Sequence, residues 1–271
     1  MAFASFVSPR EPIIDDATRV NRSSDSLWSL LDGEQKGTGW IERDLHDDPY
    51  CSFAAPFNIP LIPRSDWAAR IEEMEATNTR PSDLMKAALI PCKDQRQTSY
   101  CWIFAATSCV EQVLSLQSPN FVSLSPASAG APIKNYRNEG GWSTQGIRWI
   151  AEHGLVPSAA WPDTAIDKKW NTAETKQLRE RYKVLDWIEG TPRGEEQLMT
   201  LLLSRIPCAC GYNREGHATV CLDPLYFGGD EFGSRSRNSW GANFGDNGFF
   251  VRRGSRHIPD DIVAPHVASV S

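Results

Sequence analysis

The chain has 271 residues, with 28 basic and 34 acidic side chains and a formal charge of −6. Hydrophobic residues make up 41% and charged residues 23%, which suits a globular protein with a sizeable core and excludes a disordered or collagen-like chain. The acidic balance without a Lys/Arg stripe argues against nucleic acid as a partner, and no window approaches the roughly 20 apolar residues that cross a bilayer.

Residues 1–62 mix Pro, Asp, Ser and Gly with scattered aromatics and read as an N-terminal arm or extension. Its start, MAFASFVSPREPIIDD, lacks a basic cluster and breaks its apolar run at Ser8–Glu11, so it makes a poor signal peptide. The seven cysteines are therefore expected to be mostly reduced thiols. The expected location is cytoplasmic or within a macromolecular assembly. Only SSDSLWSLLDG has a local helical pattern, capped by Ser24 or Asp25 and stopped at Gly33. Trp28, Trp40, Phe53 and Phe57 need a covering surface, either on this protein or on a protein neighbour held by the arm.

From residue 63 the pattern is helical. SDWAARIEEMEA places Trp67, Ile71 and Met74 on one face, and SDLMKAA offers a second short helix. The segment CWIFAATSCVEQVLSL is apolar on more than one face, which predicts a largely buried helix. TQGIRWIAEHGL stops at Gly154, and GEEQLMTLLLSR is a further helix. Beyond about Tyr182 the period shortens: KVLDWIE, PCACGYN, HATVCLD, SRNSW and GFFVRRG are strand-like runs bounded by Gly, Pro, Asp and Asn. Between two of them, DPLYFGGDEFGSRSR reads as a Gly-rich charged loop able to gate access. The expected class is α+β with two lobes, a helical lobe over about 63–180 and a β-rich lobe over about 181–271. A cleft between such lobes is a natural place for chemistry.

Three residues stand out chemically. Cys101 opens the buried helix, where unpaired N–H groups and the positive end of the helix dipole favour a thiolate. His217 opens a strand of small residues directly after Gly216. Asn238, beside Trp240, has an amide oxygen suited to fixing an imidazole, with the indole keeping water away. A competing assignment, metal binding by Cys208, Cys210, His217 and Cys221, is disfavoured because zinc ligands usually leave two to four residues between paired cysteines. No metal and no cofactor is expected.

These fragments, in order, resemble the papain-like cysteine peptidases: Gln95, Cys101-Trp102, Phe104-Ala105, Gly140-Gly141, Gly216-His217-Ala218 and Asn238-Ser239-Trp240-Gly241. The run Cys-Trp-Ile-Phe-Ala is also similar to the bleomycin-hydrolase branch. The resemblance covers roughly residues 88–254 and implies a two-lobed papain-like fold and hydrolysis of peptide or protein substrates. It assigns Cys101 as nucleophile, His217 as its proton partner, Asn238 as the residue orienting His217 and Gln95 as oxyanion donor. It further implies substrate contacts at Gly140, Gly141 and Trp240 and a pocket wall at Trp142. Two departures are evident. Thr98-Ser99-Tyr100 and Asn138-Glu139 stand where both ends of a family disulfide are usual, and Ser99 and Tyr100 are expected to narrow the cleft. Cys101 and His217 are 116 positions apart, short of the roughly 130–150 of the family. The alternative to a peptidase is a papain-fold structural or docking part of a larger assembly, such as a virus particle, strapped by the arm.

Overall fold

The computed structural model describes residues 3–18, 36–43, 57–117 and 121–270. The helix expected at SSDSLWSLLDG, and with it Trp28, Cys51 and Phe53, lies outside these residues.

The helical half contains α1 (Arg64–Ala76), α2 (Pro81–Ala87), α3 (Cys101–Gln117), α4 (Ala127–Ile133), α5 (Ser143–His153) and α6 (Ala173–Arg179). A seventh helix, α7 (Glu195–Leu203), follows the first long strand. As the apolar periodicity predicts, α1 buries Trp67, Ile71 and Met74. The central helix, α3, is buried almost all round, with Trp102, Ile103, Phe104 and Val110 inaccessible to solvent. It packs against the sheet on one side and α5 on the other, so each of its faces has apolar partners and an amphipathic stripe is not needed. The end of α5 falls at Gly154, whose φ of +79° suits glycine.

The strands are β1 (Ile13–Ile14), β2 (Tyr182–Gly190), β3 (Cys208–Tyr212), β4 (His217–Gly228), β5 (Glu231–Arg237), β6 (Phe249–Arg253) and β7 (Asp261–Val270). They form one sheet in the order β1-β6-β5-β4-β3-β7-β2. Only the pairing of β1 with β6 is parallel. One sequence expectation changes here. The segment read as a gating loop is instead the β4–β5 hairpin, which turns at Gly228 and Gly229 with positive φ. Two of its charges are buried in one ion-pair cluster, where Arg235 meets both Asp223 and Glu11, whereas Asp230 at the turn is exposed. The C-terminal segment is β7, hydrogen-bonded between β3 and β2 within this chain.

The first residues are woven into the same sheet. Ile14 is fully buried with Trp240, Phe244 and Phe250, and the Arg235 guanidinium binds Glu11 and the Phe6 carbonyl (2.7 Å). The described parts of the arm therefore pack on this chain.

Candidate active site

Cys101 begins α3 with its sulfur facing the backbone N–H groups of Ala218, Trp102, Trp40 and Gly39. Ala218 is the residue after His217, so the start of α3 and the start of β4 meet at this point. His217 is held by the far end of the β-rich half: its Nε2 donates to Asn238 Oδ1 at 2.8 Å. The Ser239 N–H donates to the same oxygen, also at 2.8 Å. The Trp240 ring lies 4.7 Å from the imidazole, centroid to centroid, at 31°, and so excludes water from the His217–Asn238 bond as the sequence reading expects.

Gln95 is brought to the same place by an antiparallel bridge between Asp94 and Trp240. Its backbone N–H donates to the Ser239 carbonyl at 2.7 Å, and its Oε1 accepts from Ser239 Oγ. These bonds fix the amide so that Nε2 points toward the cleft. There it donates to Thr98 O (2.8 Å) and Gly37 O (2.9 Å).

The second of those acceptors belongs to the arm. Residues 36–43 run across the site as a strap. Gly141 N donates to Gly39 O (2.9 Å), Ile41 N approaches Gly141 O (3.5 Å), and Trp40 pairs with Gly141 in a parallel bridge. Gly39 N and Trp40 N donate to Gly216 O, at 3.3 and 3.0 Å. The Trp142 indole donates to Ile41 O (3.0 Å) and the Trp240 indole to Gly37 O (3.1 Å). Each of the four residues assigned to substrate contact by resemblance thus lies against the strap, Gly140 included, since a Cβ on it would strike Gly39 O. Gly39 itself passes so close to the Ser99 carbonyl that no larger residue fits.

Covering has an electrostatic consequence. Cys101 and His217 are both fully buried. Burial pushes the Cys101 thiol up to about 12, against the backbone N–H groups that favour the thiolate. Burial also brings the His217 imidazole down to about 4, against the Asn238 hydrogen bond and the Glu215 charge. In this strapped state both groups are neutral at pH 7, whereas the helix terminus alone favours a thiolate. Removing water penalises each charge by more than the N–H groups return.

Where a disulfide is usual in the resembled family, hydrogen bonds join the same two loops. Ser99 N donates to Asn138 Oδ1 at 2.7 Å and Tyr100 Oη to Arg137 O at 2.9 Å. Tyr100 is fully buried, its ring against Gly130 and Trp102, so it points into the helical half rather than into the cleft. The six described cysteines are free thiols. Among the described residues, no group of three or more His, Cys, Asp or Glu is placed to hold a metal ion. Cys221 instead sits within hydrogen-bonding distance of Tyr212 Oη (3.2 Å) and Ser236 Oγ (3.3 Å). No helix among the described residues is long and apolar enough to cross a membrane.

Comparison with known proteins matches residues 77–220, more than half of the chain, to the model of the papain family of cysteine proteases. The chain belongs to that family. The matched span contains Gln95, Cys101, Gly140, Gly141, Trp142 and His217. Among its relatives, the probable cysteine protease RD21C of Arabidopsis thaliana is 25% identical over 187 residues, covering 61% of this chain and 41% of that protein. Papaya proteinase 4 of Carica papaya is 22% identical over 250 residues, covering 83% and 66%. The chain thus spans less than half the length of the first relative and about two thirds of the second. Digestive procathepsin L 3 from the larval midgut of Tenebrio molitor shares the fold, with a TM-score of 0.57 at 17% identity over 89% of this chain and 86% of that one. The two-lobed α+β architecture is therefore papain-like.

Sequence reasoning missed the strap, together with Gly211 and Asn213, which receive the Trp40 side chain. The available signal was the Gly-Thr-Gly-Trp run at 37–40, a pattern suited to close backbone approach followed by one large anchor.

Proposed function

We propose that the protein is a cysteine peptidase acting through Cys101, His217, Asn238 and Gln95, closed over its site by residues 36–43. The observation that carries this reading is the convergence at one cleft of a helix-opening cysteine, an Asn238-bound His217 and an amide donor at Gln95. When the strap is displaced, water and substrate reach the pair, the burial penalty is relieved and the proton passes from Cys101 Sγ to His217 Nδ1. The thiolate attacks the substrate carbonyl carbon. The resulting oxyanion takes hydrogen bonds from the Cys101 N–H and Gln95 Nε2, each such donor contributing roughly 3 kcal/mol in other hydrolases. Collapse expels the amine, protonated by His217, and leaves a thioester. Water, deprotonated by His217, then releases the acid and restores the thiol. Asn238 keeps the ring oriented throughout.

The strap is a poor substrate in place. It presents N–H groups of Gly39 and Trp40 to the sulfur, whereas attack requires a carbonyl carbon. The described arm residues engage this chain itself, which supports the peptidase reading over a docking role in an assembly. The test is digestion of a peptide library by the full chain, with Cys101→Ala as control. Cleavage that is lost in Cys101→Ala and unchanged by chelators supports the reading; cleavage that survives Cys101→Ala overturns it.

A further inference from the structure

We propose that the cleft contains an indole-selective pocket, floored by Gly211 and capped by the Asn213 carboxamide, and that Trp40 is its built-in occupant. The proposal deepens the peptidase reading, on which it rests: a substrate residue whose side chain takes the place of Trp40 opposite Gly141 would be favoured when it is tryptophan.

Trp40 is 6% exposed although it belongs to a segment that crosses the molecular surface. Its indole stands directly over Gly211, where a Cβ would collide with three of its ring carbons. Gly211 lies in β3, paired with Ala218 on one side and Asp261 on the other. Its backbone is not in the left-handed region, so conformation does not require glycine there; room for the ring does. The polar end of the ring is also matched, because Trp40 Nε1 donates to Asn213 Oδ1 at 2.8 Å. Asn213 is held in turn by its N–H to Asp260 Oδ2 (2.8 Å), and Asp260 N donates to Gly211 O (2.9 Å). Floor and cap are therefore tied to one carboxylate-bearing residue. An aliphatic side chain would leave the ring-shaped slot partly empty, and phenylalanine would fill it but leave the Asn213 oxygen without its N–H.

The experiment uses the full chain with Trp40→Ala, which vacates the pocket, and compares N-acetyl-X-Gly amides with X as Trp, Phe, Leu or Ala. The first readout is protection of Cys101 from iodoacetamide, which needs no turnover. The Trp peptide should protect at about tenfold lower concentration than Phe, and adding Gly211→Ala should abolish that preference while leaving Ala protection intact. The second readout is kcat/KM on fluorogenic peptides of the same series. Should Trp40→Ala not fold, Trp40→Phe keeps the ring and removes the donor, and it should raise the alkylation rate of the strapped chain several-fold. Equal protection by Trp, Phe and Leu, a Trp preference that survives Gly211→Ala, or a Trp40→Phe chain that alkylates like the wild type would each overturn the pocket. Selective protection without cleavage of any peptide would leave the pocket standing and sink the peptidase reading; cleavage without Trp preference would do the reverse.

Discussion

At Cys101 and His217, burial sets the proton balance. The His217 imidazole is held near 4 against an ordinary 6.5, and the Cys101 thiol near 12 against an ordinary 9.0. As pH falls through 6.5 the unfolded chain protonates His217 and the folded chain does not, so the stability this site contributes is complete above 6.5 and shrinks toward pH 4, by about 3 kcal/mol. As pH rises through 9 the unfolded chain releases the Cys101 proton while the folded chain keeps it. Stability is again lost, now between 9 and 12. Urea midpoints should therefore form a plateau between pH 6.5 and 9 that narrows on both sides, and a Cys101→Ala/His217→Ala chain should lose that shape. Identical pH profiles for the two chains would contradict the assignment. On the proposed mechanism Gln95→Ala separates binding of the oxyanion from nucleophile chemistry: kcat should fall roughly 10²–10³-fold, while Cys101 of the opened chain still alkylates.

Among the elements, α3 was the most legible because its apolar residues fall on more than one helical face, and the structure buries most of it. Phe104 in its first turn is inaccessible, so Phe104→Ala should cost about 3–5 kcal/mol by denaturant unfolding. Leu185 on β2 is 59% exposed, and Leu185→Ala should stay within about 0.5 kcal/mol of wild type. The sequence was silent where local pattern and environment part company. Helix α4 is a run of small residues, ASAGAPI, with Pro132 near its end, and α6 is short and polar, marked mainly by the Thr172 capping box. Strand β7 contains Pro265, which reads as a break; it pairs with Trp187 beside a register shift, where a missing N–H is tolerated. At the site, Gln95, Cys101, His217 and Asn238 were readable as residue types in order. Their closure by Trp40 was not, because Trp40 meets Gly211 and Asn213 across more than 170 positions and no local period encodes such a contact.

Across the whole molecule, the arm is fastened by a buried cluster of charges. Arg235 is buried between Glu11 and Asp223, and removing one partner from a buried charge cluster is costly because the remaining charge stays out of water. Glu11→Gln should therefore lower stability by roughly 3 kcal/mol, read as a shift of the urea midpoint. It should also raise the susceptibility of residues 3–18 to added trypsin before global unfolding. A midpoint unchanged by Glu11→Gln would mean that these first residues contribute nothing to the sheet.

The strap has covalent continuity on both flanks: Ile13 and Ile14 are stitched to β6 on one side, and on the other the Ile62 N–H is held by Thr200 Oγ1 just before α1. A cover attached at two points cannot diffuse away, so its re-closing is unimolecular and indifferent to dilution. Even a single nick between the anchors would leave each fragment moored by its own end, and the site would open through a partly covered form instead of all at once.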